Sequence, residues 1–368
     1  METKAAVVRE VGQLAVETVQ LEPPGPGEIL VRLRAAGVCH SDLHTYRGEL
    51  RTAPPLVLGH EGAGIVEQVG TGVTRVKPGD AILVNWLPAC GSCLYCLGGR
   101  PFLCERLAET TFKGLLPAGT SRLATSDGLR LKHYLSAATM AERAVIGEES
   151  AVAIPADMPF EVAAIIGCAV ATGVGAVINT ARVRPGSSAA VFGCGGVGLS
   201  AILGLRLAGC HPIVAVDLLD AKLAFARELG ATDTVNAQQV DAVAALRAIS
   251  GRGPAYVFDS VGAAATISQA LRAVAPGGTV VVMGLHAAKI DVPIPAGTLI
   301  FQNKHLIGSF AGSIRPHIDL PWLVEAYRSG LLPVDRLITK CYRLDEVGQA
   351  FDDMESGGIG RAAIVFDH

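Results

Sequence analysis

Four cysteines within fifteen residues, Cys90, Cys93, Cys96 and Cys104, form a C-x2-C-x2-C-x7-C run that constrains this chain more than any other feature. Gly91, Ser92, Gly98 and Gly99 let the loop fold back on itself, so four thiolates can close a tetrahedral site around one zinc ion. Such a site leaves no position for a substrate and is structural. Four scattered core cysteines or two disulfides are the alternatives, and neither suits such tight spacing in a polar, glycine-rich loop. The segment 88–106 is therefore expected to be a lobe built around a metal.

At 368 residues the chain can bury two ordinary hydrophobic cores, and two domains are expected. A formal charge of −3 with interspersed signs offers no basic stripe for nucleic acid and no polybasic patch for a membrane surface. Small-molecule chemistry is favoured over polymer binding. Half of the residues are hydrophobic, but they fall in short runs, none expected to approach the roughly 20 apolar residues of a membrane span. The start, Met1 to Ala6, lacks the pattern of a secretory signal, so a cytoplasmic location is expected, with the nine cysteines reduced. Cys194, Cys210 and Cys341 are expected to be small buried hydrophobes.

Up to about residue 150 the chain reads as short strands broken by glycine and proline: Ala5–Val8, Glu28–Ala35 and Gly64–Val69, with turns at Pro23–Gly27 and Val76–Asp80. That pattern predicts an irregular, largely antiparallel β domain. Beyond about residue 170, apolar runs at Ser188–Gly193, Pro212–Asp217, Ala255–Asp259 and Thr279–Gly284 alternate with helical stretches. Runs of this kind argue for a parallel sheet covered on both faces. A helix over Pro321–Ser329 and a strand over Ala362–Phe366 are expected to rejoin the first domain.

Gly193, Gly195 and Gly198 form a G-x-G-x-x-G motif, with Gly196 and Val197 between, directly after a predicted strand and opening a helical stretch over Leu199–Ala208. Glycines there allow a tight turn and let a helix N-terminus approach a pyrophosphate. The next strand ends at Asp217, nineteen residues beyond Gly198, where a carboxylate can accept from both ribose hydroxyls of an adenosine. The same charge repels a 2′-phosphate, and Leu218 and Leu219 supply no cation to hold one. NAD is expected rather than NADP.

Three further residues stand in distinctive surroundings: Cys39 in Gly37-Val38-Cys39-His40-Ser41-Asp42-Leu43-His44, His60 in Gly59-His60-Glu61-Gly62-Ala63-Gly64, and Cys168 in Gly167-Cys168-Ala169-Val170-Ala171-Thr172-Gly173. With these segments the whole chain resembles the zinc-containing medium-chain alcohol dehydrogenases. The resemblance implies an α/β protein, in which a Rossmann doubly wound parallel-sheet coenzyme domain at 171–311 joins a GroES-like, mainly-β catalytic domain at 1–170 and 312–368. It implies that Cys39, His60 and Cys168 hold a second, catalytic zinc with one open coordination position, making two zinc ions per chain with NAD as cofactor.

The same resemblance assigns further roles. Ser41 and His44 form a proton relay, with His44 as the terminal base; Glu61 lies behind the metal ligands; Asp42 orients His60. His40 and Arg361 correspond to pyrophosphate contacts, Lys222 to a contact with the adenosine ribose, and Thr172 to a residue behind the nicotinamide with Val197. Leu50, Trp86 and Met140 correspond to the substrate channel, a lining suited to primary allylic, benzylic or medium-chain alcohols.

The long segment 105–145, with Gly119-Thr120-Ser121-Arg122 and Lys132-His133-Tyr134-Leu135, resembles the long form of the dimeric animal and plant enzymes. A loop of that length is expected to line a substrate channel. A homodimer is implied, with a tetramer as the alternative, paired through a strand at about Ile290–Ile300. The glutathione-dependent formaldehyde dehydrogenases share this architecture, but they resemble Thr and Tyr where this chain has Ser41 and His44, and use arginine near the position of Ala108. A nicotinoprotein that retains its cofactor is a further alternative, because binding motifs do not report release. A non-catalytic binding role fits poorly with retention of the three ligands, Ser41 and His44.

Overall fold

The computed structural model describes all residues except 51, 286–290, 359 and 368. The chain forms two compact units: Met1–Cys168 with Arg315–Arg328 and Ile338–His368, and Ala169–Ile314 with Ser329–Leu337. Ser329–Leu337, expected with the first domain, groups with the second. Leu332, Val334 and Leu337 are fully buried, and Arg336 Nη1 donates to the Glu228 carbonyl at 3.1 Å.

In the first unit, Glu2–Glu10, Gln13–Leu21, Leu56–Val57, Leu123–Ala124 and Arg130–His133 close into a small barrel. Its interior is filled by Ala5, Val7, Val19, Leu21, Leu123 and Leu131 among others. The segment 105–145 is thus not a bare loop, since it supplies two of the barrel strands. Sequence reading missed them because two- and four-residue strands carry too few positions to show a period of two.

A second, mostly antiparallel sheet is built around Glu28–Val38, which pairs with Gly62–Val69, Arg143–Gly147 and Arg361–Val365. Its register sets up the site. Ala36 lies opposite Gly62, and Val38 opposite Ala362. Cys39, His60, Glu61 and Arg361 therefore emerge at one end of three neighbouring strands. Gly37 is required there, because a Cβ at that position would lie 2.9 Å from Glu61 Cβ.

The second unit carries a six-stranded parallel sheet. Its strands, Ala189–Phe192, Ile213–Asp217, Asp233–Asn236, Tyr256–Asp259, Thr279–Val282 and His305–Gly308, are arranged in the order 3-2-1-4-5-6 by sequence. This is the doubly wound dinucleotide-binding order, which reverses beside the first strand, where ligands bind. Val214, Val216, Val257, Val280 and Leu271 belong to one continuous core against the sheet.

Several expectations are corrected. Ile290 lies outside the described residues, and Ala296–Gln302 is a helix rather than a strand. Pro293 and Pro295 lack ladder N–H donors, and Pro295 immediately precedes the helix. The late helix runs Pro316–Arg328, with Pro321 inside it. Phe160–Thr180 is a 21-residue apolar helical run, long enough by length and composition to cross a membrane, but its most apolar window is 89% buried in the protein. Cys194 and Cys210 are buried as expected, whereas Cys341, on the strand Ile338–Tyr342, is exposed.

Candidate metal and cofactor sites

In the cysteine lobe, Cys90 Sγ lies 4.0 Å from Cys96 Sγ, and Cys93 Sγ lies 4.0 Å from Cys104 Sγ. All four sulfurs fall within 4.8 Å of one another. A disulfide needs about 2.05 Å, whereas sulfurs at about 2.3 Å from a tetrahedral zinc stand roughly 3.8 Å apart. The backbone N–H groups of Cys93 and Cys90 donate to the sulfurs of Cys90 and Cys104, each at 3.3 Å. Hydrogen bonds from Ser92, assisted by Cys93, draw the Cys90 thiol down to about 6, while burial pushes Cys96 up to about 12. A dication held among the four sulfurs would favour the thiolate form of each. The donor set fits zinc.

The second cluster joins Cys39, His60, Glu61 and Cys168, all buried, with one ligand atom of each within 4.8 Å of the others. Cys39 ends the strand–helix turn before His40–Tyr46, and Cys168 sits in a π-helical turn, Ile166–Val170, a helix irregularity that recurs at functional positions. Gly167 allows that turn to pass close to Val84, whose carbonyl would lie 2.5 Å from an added Cβ.

Asp42 Oδ1 accepts from the Gly59 N–H at 2.9 Å and lies 3.3 Å from His60 Nδ1. Nδ1 thus faces a carboxylate, and buried Nε2 has no hydrogen-bond acceptor of good geometry among the described residues. A wholly buried imidazole nitrogen without an acceptor, beside two thiols, is placed as a metal ligand would be. The Cys168 thiol, by hydrogen bonding, holds Cys39 well below the usual thiol range despite burial. The same contact and burial raise Cys168. Burial opposes charge on His60, but Asp42 and Cys39 outweigh it and raise its pKa well above the ordinary value. These residues also fit zinc.

Around this cluster, Cys39 Sγ lies 3.7 Å from Ser41 Oγ. Burial pushes Glu61 up to about 7, with Arg361 acting against it. Arg361, expected at a pyrophosphate, is itself buried and donates from Nη2 to Glu61. His40, at the start of the helix, is exposed. The Trp86 ring meets His60 edge-on at 6.2 Å. Met140 is fully buried, and Leu50 is half-buried.

One residue that the sequence places in the long segment without a role of its own stands beside this cluster. Tyr134 stacks edge-on against His60 at 5.5 Å and donates its hydroxyl to the Ser41 carbonyl at 2.9 Å, across 93 residues of sequence. Leu135, Ser136 and Ala138, just beyond it, hold left-handed φ values of 48°, 59° and 57°. Ser136 Oγ donates to the Leu115 carbonyl at 2.6 Å, helping to fix this strained turn. No spacing rule relates residue 134 to residue 41. The only available signal was an aromatic side chain within the long segment.

In the second unit, Gly193 has φ 86°, and a Cβ at Gly198 would lie 2.7 Å from Ser260 Oγ and 3.0 Å from the Gly193 carbonyl carbon. Gly195 opens onto free space and caps Gly196–Leu207 without a side chain. The N–H groups of Gly196, Val197 and Gly198 therefore lie in an uncapped first turn, a cradle that fits a pyrophosphate. Asp217 accepts from the N–H groups of Cys194 and Leu218 at 2.7 Å each and Leu219 at 3.1 Å. Lys222 is half-buried on Asp220–Leu229, and Thr172 is buried. Gly173 lets its helix approach the one carrying Val197, since a Cβ there would lie 2.6 Å from Ala201 N.

Residues 25–156 match the alcohol dehydrogenase GroES-like domain, and residues 196–328 match the zinc-binding dehydrogenase domain. An alcohol dehydrogenase class-3 of Cereibacter sphaeroides is 38% identical over 377 residues, covering 100% of both chains. An S-(hydroxymethyl)glutathione dehydrogenase of Paracoccus denitrificans is 36% identical over 376 residues, again covering 100% of both. The crystal structure of benzyl alcohol dehydrogenase from Acinetobacter calcoaceticus superposes with a TM-score of 0.95 at 31% identity over 100% of both chains. Full-length similarity of this order, carried by a chain whose cysteine and histidine donors form two zinc-compatible clusters, establishes that the chain belongs to the zinc-containing medium-chain alcohol dehydrogenase family.

Proposed function

We propose that this protein is an NAD-dependent dehydrogenase holding two zinc ions per chain, one bound by Cys39, His60 and Cys168 and one by Cys90, Cys93, Cys96 and Cys104, and that it oxidises primary allylic, benzylic or medium-chain alcohols reversibly to aldehydes. The observation that carries this reading is the buried Cys39–His60–Cys168 cluster beside the rings of Trp86 and Tyr134. When bound there, zinc supplies a Lewis acid for the alcohol oxygen, and NAD accepts the hydride.

The chain's own residues bind, orient and move the proton. Asp42 orients the His60 ring, and Ser41 receives the proton lost by the alcohol and passes it towards His44 for release to water. Trp86 and Tyr134 present aromatic faces and edges beside the ligand histidine, which favours flat, unsaturated alcohols and disfavours branched secondary ones. Support for NAD comes from Asp217, whose charge opposes a 2′-phosphate, and from the apolar Leu218 and Leu219. In this reading the Gly193–Gly198 loop cradles the pyrophosphate and Lys222 serves the adenosine ribose.

The glutathione adduct is the less favoured substrate. Ala108 is exposed where the resemblance places an arginine for the glutathione carboxylate, and the nearby Lys113 is paired with Glu109. None of the nine cysteines is in a disulfide, which accords with a cytoplasmic location. Exposed Ile300 (73%) and Phe301 (90%) on Ala296–Gln302 support a homodimer, with a tetramer as the alternative.

The test is NADH formation by zinc-analysed protein with cinnamyl alcohol, benzyl alcohol, hexanol, ethanol and S-(hydroxymethyl)glutathione, alongside a dye-acceptor assay without added NAD. Turnover of aromatic alcohols with added NAD and about two zincs per chain is expected. A preference for the glutathione adduct, or turnover only in the dye assay, would overturn the substrate or the exchangeable-cofactor part of this reading.

A further inference from the structure

His44 lies in the last turn of the short helix His40–Tyr46. The chain leaves that helix by a reversal in which Arg47 N–H donates to the Leu43 carbonyl and Gly48 N–H to the Thr45 carbonyl, each at 3.0 Å. Gly48 takes φ 74°, a left-handed conformation that glycine adopts without strain. The next residue, Glu49, returns its N–H to the His44 carbonyl at 2.8 Å. Its backbone is thereby anchored, and its carboxylate Oε2 meets His44 Nδ1 directly.

An ionised carboxylate can only accept a hydrogen bond. Facing Nδ1, it requires the proton of the neutral imidazole to sit on Nδ1. The opposite tautomer would set a nitrogen lone pair against the carboxylate oxygen. The contact therefore leaves the Nε2 lone pair available as a base and limits rotation of the ring. His44 is 16% and Glu49 39% exposed at the side chain, so the pair stands where a proton can pass to water. The neighbouring His40 ring lies 6.2 Å from that of His44 and is tilted by 41°.

We propose that Glu49 is a positioning residue for alcohol oxidation, holding His44 as the Nδ1–H tautomer so that Nε2 takes up the proton released by the substrate. The inference rests on the relay reading of Ser41 and His44. The balance is that of a two-electron oxidation: the carbinol carbon loses a hydride to NAD, the hydroxyl loses a proton through Ser41 to His44 Nε2, and the protonated ring, facing Glu49, releases that proton to water.

The test pairs kinetics with a spectroscopic readout on the zinc-loaded, full-length protein. In wild type, the histidine 15N resonances, with His44 assigned by their loss in H44Q, are expected to show a single Nδ1–H tautomer. In E49Q, whose amide can donate as well as accept, the signal should shift to a mixture. Single-turnover hydride transfer with benzyl alcohol should slow about tenfold in E49Q with KM within about twofold, and E49D should recover part of the loss. Zinc content and melting temperature, measured for each variant, separate these effects from misfolding. If H44Q slows hydride transfer and E49Q does not, the role of Glu49 is overturned and the relay survives. If neither variant slows it, both fall together. A mixed tautomer in wild type overturns the inference whatever the kinetics show.

Discussion

Arg361 Nη2 donates to the Glu61 carboxylate across 300 residues of sequence, and both side chains are buried. The contact ties the last strand of the chain to the turn that carries His60. It also sets the Arg361 guanidinium in the interior, beside the group formed by Cys39, His60, Glu61 and Cys168.

Truncating Arg361 should therefore be costly. Removing one partner of a buried ion pair destabilises by about 3–5 kcal/mol. R361L is expected to lose about 3 kcal/mol in urea denaturation of the zinc-loaded protein. A loss below about 1 kcal/mol would show that water or rearrangement compensates the Glu61 charge and that the pair is not structural.

Tyr134 predicts a different pattern. Y134F deletes one hydroxyl and leaves the ring against His60, so it should cost about 1 kcal/mol of stability. By releasing the Ser41 carbonyl it should lower kcat several-fold with little change in KM. A variant with unaltered kcat would confine Tyr134 to packing.

In the cysteine lobe, C104S should lower bound zinc by about one equivalent per chain, because one donor in four is lost. Residues 90–104 should then become accessible to limited proteolysis, and the melting temperature should fall. Unchanged zinc content by elemental analysis would refute the four-cysteine site.

His133 makes the acid limb of stability predictable. Burial, with help from Arg122, lowers its pKa from 6.5 to about 3. Between those values the unfolded chain binds a proton that the folded chain refuses, so stability rises with pH across that window and is independent of this group above it. H133L removes the acceptor for the Arg122 N–H, present at 3.1 Å, and should cost about 1–2 kcal/mol near neutrality. It should also flatten the decline in stability between about pH 6.5 and pH 4. Equal slopes for the two proteins in urea titrations at a series of pH values would disprove the assignment.

The elements that were legible in the sequence are those with local signatures. Four of the six parallel strands show as apolar runs because both faces are covered, so Val214–Val216 and Val280–Val282 need no alternation to be seen, whereas the edge strands Asp233–Asn236 and His305–Gly308 are only partly buried and carry no such run. The glycine loop shows because Gly193 and Gly198 meet requirements set by their own neighbours in the turn. The four-cysteine lobe shows because its donors are close in the chain. The barrel strands Leu123–Ala124 and Arg130–His133 did not show, being too short to carry a period, and the helix Ala296–Gln302 was obscured by the prolines before it.

The sequence by itself determined the donors: which cysteines, histidines, glycines and carboxylates are present, and which neighbours each has along the chain. Only the tertiary structure decided the partners. The register that sets Val38 opposite Ala362 and Ala36 opposite Gly62 brings Arg361 onto Glu61, and the fold of the long segment carries the Tyr134 hydroxyl to the Ser41 carbonyl. The physical reason is the range of the interactions. A turn or a thiolate lobe satisfies its bonding requirements within a few residues, while a buried charge or hydroxyl must find its partner wherever strand pairing delivers one.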